Sequence, residues 1–151
     1  MSPIHINSFA EAFLGSAFIE TIADAELRSS PISGHGLFTL RDRAPGELLC
    51  LLDGQLLDPR RHPRAMEELE WNALSPTLLL VRPLRTSYGY INHSTTPNTG
   101  VDEAGRCMLA LRSIQGGEEL TMDYFAQPVP PEYLKTAEAK RLRAGAAGAP
   151  A

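Results

Sequence analysis

The feature that most constrains the fold is a series of short apolar segments that begins at Ala25 and ends near Phe125. Segments such as "GLFTL", "TLLLVRPL" and "RCMLALRSI" are separated by turns rich in Gly, Pro, Asp and Asn, at spacings of about ten residues. This pattern predicts many short strands, including a hairpin between Val101 and Leu111 around "DEAG". The sequence therefore predicts a mainly β domain with a few helices, built from small sheets that meet at angles.

Helices are predicted in three places. Residues 63–74 predict one, because Pro63 suits a first helical position and Met66, Leu69 and Leu74 give the segment one apolar side. The C-terminal stretch "PEYLKTAEAKRLRAG" also favours a helix, followed by a frayed end. A further short helix is predicted near the N-terminus, with its cap at Asn7 or Ser8.

Length and composition describe one ordinary globular domain. A chain of 151 residues is long enough to bury a core, and 43% hydrophobic with 21% charged residues excludes global disorder. The net charge of -4 argues against direct binding of nucleic acid, which usually needs a basic surface.

The cysteines and the apolar runs predict an intracellular protein that has no metal site and no membrane-spanning segment. Cys50 and Cys107 form no CxxC motif or Cys/His cluster, so no metal site is expected and a reducing compartment is favoured. The start lacks the positive region of a signal peptide, and "LSPTLLLV" is too short to span a membrane. We expect the cytoplasm for a bacterial source, with the nucleus possible for a eukaryotic one.

Three segments combine residue types that serve either turns or ligand binding. In "SPISGHGLF", Gly34 and Gly36 flank His35, which fits a tight turn or a close approach of backbone to a ligand. In "YGYINHSTTPNTG", Asn92 fits a turn cap and His93 a core position. "GGEELTMDYF" predicts a turn followed by an edge strand. Each segment alone has this ordinary structural explanation.

Together and in this order, these segments closely resemble the sequence blocks of SET-domain protein lysine methyltransferases. The resemblance extends from about Glu26 to Phe125 and depends on N-H-S-x-x-P-N and G-E-E-L-T-x-D-Y at this spacing. It implies a SET-domain (β-clip-like) fold of short sheets with a C-terminal pseudoknot, in which "INHSTTPN" forms half of the knot. It also implies a domain over residues 25–127 with a variable insert at about 58–87. Residues 1–24 would flank this domain, and residues 128–151 would form a helical tail.

The resemblance implies that the protein binds S-adenosyl-L-methionine and releases S-adenosyl-L-homocysteine. Backbone at His35, Gly36 and Leu37 would lie along this cofactor. Asn92 would hydrogen-bond its methionine part, and backbone at His93 would meet the adenine. The substrate would be a protein that presents a lysine.

Tyr124 matches the family's tyrosine beside the methyl-transfer site. A free lysine has a pKa about three units above neutral pH, so about one amine in a thousand is neutral and nucleophilic. An apolar channel and the sulfonium charge both lower that pKa, and a phenol can orient the amine. Tyr124 is therefore the catalytic residue that the resemblance implies.

This chain departs from the family pattern at several positions. Leu52 replaces a tyrosine that often lines the lysine channel, and Met122 occupies a position that influences how many methyl groups are added. Gly89 and Thr95 replace a common arginine and cysteine. No cysteine-rich post-SET segment follows Tyr124, so other elements must close the site. Phe125, as a further cofactor contact, and the tail are the candidates, within one subunit or across a homodimer.

These departures leave two alternatives to a protein lysine methyltransferase. One is a SET-fold binding module without turnover, and the other is a small-molecule methyltransferase on the same scaffold. The arginines Arg60, Arg61 and Arg64 also have two explanations, a solvated loop or a docking patch for an acidic part of the substrate.

Overall fold

The computed structural model describes residues 18–145, and the predicted helix with its cap at Asn7 or Ser8 lies outside them. Within the described range strand is the predominant regular structure, as predicted. The strands are β1 (Ala25–Ser29), β2 (His35–Thr39), β3 (Leu48–Leu51), β4 (Gln55–Leu57), β5 (Glu70–Ser75), β6 (Leu78–Arg82), β7 (Asn92–His93), β8 (Thr99–Asp102), β9 (Cys107–Ala110) and β10 (Thr121–Met122). The helices are α1 (Ala65–Glu68), α2 (Pro131–Leu134) and α3 (Ala137–Gly145), with 3-10 turns at Ser87–Tyr90 and Tyr124–Ala126.

These strands form four small sheets in the described residues. Three are antiparallel, with the strand orders β1-β2, β3-β9-β8 and β4-β6-β5. The fourth pairs β10 with β7 in parallel. The predicted hairpin is confirmed as β8 and β9, because Asp102 pairs with Cys107 at its closed end. The segment "LLCLLDGQLLD" contributes β3 and β4 to two different sheets.

A single main core lies between the sheets and fixes their mutual positions. Side chains of all four sheets meet there, together with residues from the loops. Full burial of one such aliphatic side chain stabilises the fold by roughly 1.5–3 kcal/mol. The buried members are Ile22, Leu37, Leu49, Cys50, Leu52, Leu80, Ile91, Met108, Ala110, Ile114, Leu120 and Met122.

The helix predicted at residues 63–74 is wrong over most of its length. Only Ala65–Glu68 is helical, and Leu69 is already extended, with φ -121° and ψ 155°. Residues 70–75 instead pair with β6 as β5, which buries Asn72 and Ala73 and sets Trp71 edge-on against Tyr133, with ring centroids 5.1 Å apart. Because strand pairing and burial outweigh local helix propensity, the apparent apolar side of Met66, Leu69 and Leu74 never forms.

Two other predicted elements are shorter or more broken than expected. The C-terminal helical segment is two helices, α2 and α3, separated at Lys135. The strand in "GGEELTMDYF" is limited to Thr121–Met122, after which the chain turns at Tyr124–Ala126.

The segment 119–122 passes between the two ends of the segment 92–99. On one side β10 pairs with β7. On the other side Thr121 N–H donates to Asn98 Oδ1 at 2.8 Å, Asn98 Nδ2 donates to the Glu119 carbonyl at 2.8 Å, and Thr99 Oγ1 donates to the Thr121 carbonyl at 2.7 Å. This crossing has the pseudoknot arrangement that the resemblance predicts, and it is held by buried side-chain hydrogen bonds.

Candidate active site

The loop before β2 packs against the crossing through a glycine that has no room for a side chain. A Cβ built on Gly36 would lie 2.2 Å from Glu119 Oε2 and 3.1 Å from Asn92 Nδ2. Gly34 has a positive φ of +46° and no atom within 4 Å of its built Cβ. Gly36 therefore allows the close approach of three segments, and Gly34 gives the turn an open outer side.

Asn92 ties this loop to the crossing through its amide nitrogen. Asn92 Nδ2 lies 2.8 Å from Glu119 Oε2 and 3.1 Å from Ser30 Oγ, and it lies 3.1 Å from the carbonyls of Ser33 and His35. Ser30 Oγ also donates to the Glu119 carboxylate, at 2.8 Å. The Asn92 amide nitrogen is thus committed to the protein, which leaves its carbonyl oxygen as the side-chain atom available to a ligand.

Tyr124 follows the crossing directly, and its phenol turns back toward it. The Tyr124 hydroxyl donates to the Ile91 carbonyl, and its backbone N–H donates to His93 Nδ1 at 3.1 Å. The half-buried ring lines a cavity of about 450 Å³ that also contacts Tyr88 and Gln127. Burial, and after it the neighbouring Tyr88, raises the pKa of Tyr124 well above the usual value for a phenol, so the hydroxyl keeps its proton at neutral pH.

The His93 ring packs against the rings of Tyr124 and Phe125. Its ring centroid is 5.2 Å from that of Tyr124 and 5.2 Å from that of Phe125. Burial lowers the pKa of His93, although Asp123 opposes that shift. Because Nδ1 accepts the Tyr124 N–H, the neutral ring carries its proton on Nε2, and no partner for Nε2 occurs among residues 18–145. The orientation of Tyr124 therefore depends on a neutral His93.

Phe125 lies between the crossing and the C-terminal tail. Its ring stacks on Tyr133 of α2 at 6.1 Å, and the Arg143 guanidinium of α3 lies 5.8 Å from its centroid. Asp123 Oδ1 accepts the Phe125 N–H at 2.9 Å, which begins the 3-10 turn. The tail is thus packed against this edge of the site within one chain.

The remaining predicted cofactor residues divide between surface and core. The side chain of His35 is exposed, while its carbonyl faces Asn92. Leu37 is buried in the main core, and its carbonyl accepts the Leu120 N–H at 2.8 Å. The structure therefore brings Gly36, Asn92 and the backbone of His35 together, whereas Leu37 is committed to the crossing.

Sequence reasoning missed a buried network of side-chain hydrogen bonds beside Tyr124. The Arg82 side chain donates from Nε to Glu70 Oε2 at 2.6 Å and from Nη2 to Asn72 Oδ1 at 2.6 Å. Asn72 Nδ2 donates to Gln127 Oε1 at 3.3 Å, and Gln127 Nε2 donates to the Tyr88 hydroxyl at 3.1 Å. The Arg82 guanidinium also lies over the Tyr88 ring, 5.4 Å from its centroid, so both ends of the hydrogen-bond network contact Tyr88. A charged arginine within an otherwise apolar strand was the one available signal.

A larger cavity, of about 1060 Å³, is lined by Arg82, and neither Tyr124 nor Asn92 lines it. Its walls include Leu52, Gly54 and Arg61. In the nearby loop, Arg60 pairs with Asp58 at 2.9 Å and Arg64 pairs with Glu68 at 2.7 Å. Two of the three arginines in the predicted patch are therefore paired with neighbouring carboxylates, which favours the solvated loop.

In the described part of the chain, no helix is long and apolar enough to cross a membrane.

Two comparisons with known proteins identify the family of this arrangement. The family model described as the SET domain matches residues 34–125, which is more than half of the chain. A "Variant-silencing SET domain-containing protein" from Plasmodium falciparum (isolate 3D7) is 27% identical over 124 residues. That alignment covers 68% of this chain and 5% of the relative, so the chain spans only a small part of that protein's length.

Proposed function

Because the chain belongs to the SET-domain family, we propose that it transfers a methyl group from S-adenosyl-L-methionine to the side-chain amine of a lysine in a protein substrate. The observation that carries this proposal is the position of the Tyr124 phenol. It is held by the Ile91 carbonyl next to Asn92, and it lines a cavity beside the crossing. A neutral phenol at this point can orient an incoming amine.

The residues around the glycine loop fit the chemistry of the cofactor. When bound, S-adenosyl-L-methionine would supply an electrophilic methyl group on a sulfonium. Asn92 Oδ1 is an acceptor for its ammonium group, and the open side of Gly34 leaves the loop backbone accessible. Backbone at His35 and Gly36 and the ring of Phe125 complete the proposed binding residues, with His93 contributing backbone toward the adenine.

The proposed reaction requires a neutral lysine amine. Apolar walls contributed by Leu69, Trp71 and Val129 disfavour the ammonium form, because burial penalises charge. Carboxylates that also line the cavity act in the opposite direction, so the positive charge of a bound sulfonium would have to contribute to lowering the pKa of the amine. The bound cofactor would supply the methyl carbon for attack by the amine nitrogen and would keep the carbon–sulfur electron pair on sulfur, and the methylated amine would then lose a proton to water. Tyr124 holds the amine in line, an effect that contributes several kcal/mol in well-oriented cases.

Calorimetric titration and labelled methyl transfer test the proposal together. The wild-type protein should bind S-adenosyl-L-methionine and label lysines in proteins of a cell lysate. Tyr124→Phe should keep cofactor binding and lose at least about 100-fold in transfer rate. Tyr90→Phe makes the same chemical change outside the cavity and should retain activity.

Three results would contradict this assignment in different ways. Absence of cofactor binding in the wild type would refute both methyltransferase interpretations. Binding without any transfer would favour the non-catalytic module, to which Leu52 points. Transfer to a small molecule alone would favour the third interpretation.

A further inference from the structure

The cavity that contains Tyr124 is also lined by a second oriented phenol. Tyr88 lies in the 3-10 turn just before β7, and its backbone carbonyl accepts the Ile91 N–H at 3.1 Å. Its side chain packs against the main core next to Tyr124. The two tyrosines therefore line one cavity and pack against the same core.

The Tyr88 hydroxyl is held by the hydrogen-bond network through Gln127, yet part of its hydrogen-bonding capacity is unused. Gln127 Nε2 donates to it, and both residues line the cavity. A phenol has one proton and two lone pairs. Gln127 occupies one lone pair, and no acceptor for the Tyr88 proton is recorded among residues 18–145. One lone pair and one proton thus remain for a group in the cavity.

A neutral primary amine needs two acceptors if its lone pair is to point at a methyl carbon. Its two N–H groups must point elsewhere, and each needs a partner in a buried site. Tyr124 gives its own proton to Ile91, so its oxygen can accept one N–H. Leu52, at the position where the family often has a tyrosine, is apolar and lines the larger cavity, so the acceptor for the other N–H must come from a different residue.

The carboxylates around this cavity are poor candidates for the second acceptor. Glu70 is already bonded to Arg82 and to the backbone and side chain of Thr86. The exposed Glu67 and Glu138 would favour the protonated ammonium, because a nearby negative charge raises the pKa of an amine. A neutral oxygen is required, and burial raises the pKa of Tyr88 to about 12, which keeps that phenol neutral.

We propose that Tyr88 is a second catalytic residue, whose phenol oxygen accepts one N–H of the substrate amine while Tyr124 accepts the other. The inference rests on the proposed function and assigns the second acceptor to Tyr88, which lines the same cavity as Tyr124. Arg82 under the ring and Gln127 at the hydroxyl hold the phenol in one orientation before substrate binds.

The test compares Tyr88→Phe with the wild type, using poly-L-lysine and lysate proteins as methyl acceptors. We expect kcat to fall about 10- to 100-fold, with unchanged affinity for S-adenosyl-L-methionine by calorimetry. Tyr90→Phe is the matched control and should keep kcat. Gln127→Met removes the donor that orients Tyr88 and should lower kcat by a smaller factor.

Acceptor peptides with unmodified and monomethylated lysine separate catalysis from structure. Each added methyl removes one N–H, so the loss caused by Tyr88→Phe should be larger for unmodified lysine than for monomethyl-lysine. An equal loss on both acceptors, or a lower melting temperature that accounts for it, would overturn the role of Tyr88. An unchanged kcat in Tyr88→Phe would overturn it while leaving the proposed function intact. Inactivity of the wild type would instead refute the proposed function, and this inference with it.

Discussion

Gly36→Ala should separate the glycine loop from the crossing. The new Cβ would lie 2.2 Å from Glu119 Oε2, well inside van der Waals contact, so the carboxylate must move. That movement breaks the bonds from Ser30 Oγ at 2.8 Å and from Asn92 Nδ2 at 2.8 Å. Each hydrogen bond to a charged group contributes roughly 1.5–3 kcal/mol. Because Glu119 is half-buried and can turn toward water, we take the lower value for both bonds, about 3 kcal/mol in total.

Urea unfolding measures this loss, and a double-mutant cycle assigns it. For a domain of this size, about 3 kcal/mol corresponds to a decrease of about 6–12 °C in melting temperature. In a Glu119→Ala background the same Gly36→Ala change should cost much less, because the clashing carboxylate is gone. Gly34→Ala is the matched control, with only the cost of its positive φ, about 1–2 kcal/mol. An equal cost of Gly36→Ala in both backgrounds would refute the reasoning.

Two further predictions concern buried groups near Tyr124. Burial lowers the folded-state pKa of His93 below its ordinary 6.5, so its contribution to stability is present above about pH 6.5 and is lost as the pH falls through the folded pKa. His93→Asn, which can keep an acceptor near the Nδ1 position, should remove that part of the acid sensitivity in urea titrations, and unaltered sensitivity would argue against it. Glu70→Gln should destabilise the fold by about 3–5 kcal/mol, because it leaves Arg82 buried without its charged partner. The paired change Glu70→Gln with Arg82→Met should cost less than Glu70→Gln alone, and a cost that simply adds would contradict a coupled pair.

Local patterns predicted the strands because those segments carry their own signals. "GLFTL" and "TLLLVRPL" are apolar runs between turn residues, and they form β2 and β6. The helix prediction for residues 63–74 was wrong because the structure of residues 70–75 is decided by their pairing with β6. A local sequence pattern carries no information about that partner strand. The helical period was present in the sequence, and a neighbouring strand overrode it.

In the candidate site, too, sequence motifs predicted some of the residues, whereas the contacts between them depend on the tertiary structure. Gly36, Asn92 and Tyr124 lie in quoted motifs and were named from the sequence. Glu119 also lies in a motif, but its contact with Asn92, 27 positions earlier, depends on the crossing. The Gln127–Tyr88 bond spans 39 positions and could not be derived from spacing at all.

The most direct test of the central claim is the chemical identity of the methylated product. Lysate proteins labelled by the wild-type enzyme with methyl-labelled S-adenosyl-L-methionine would be hydrolysed to amino acids and separated by chromatography. The account predicts label in methylated lysine and its absence when Tyr124→Phe replaces the wild type. Label confined to any other amino acid or to small molecules, or label in methylated lysine that persists undiminished in Tyr124→Phe, would contradict it.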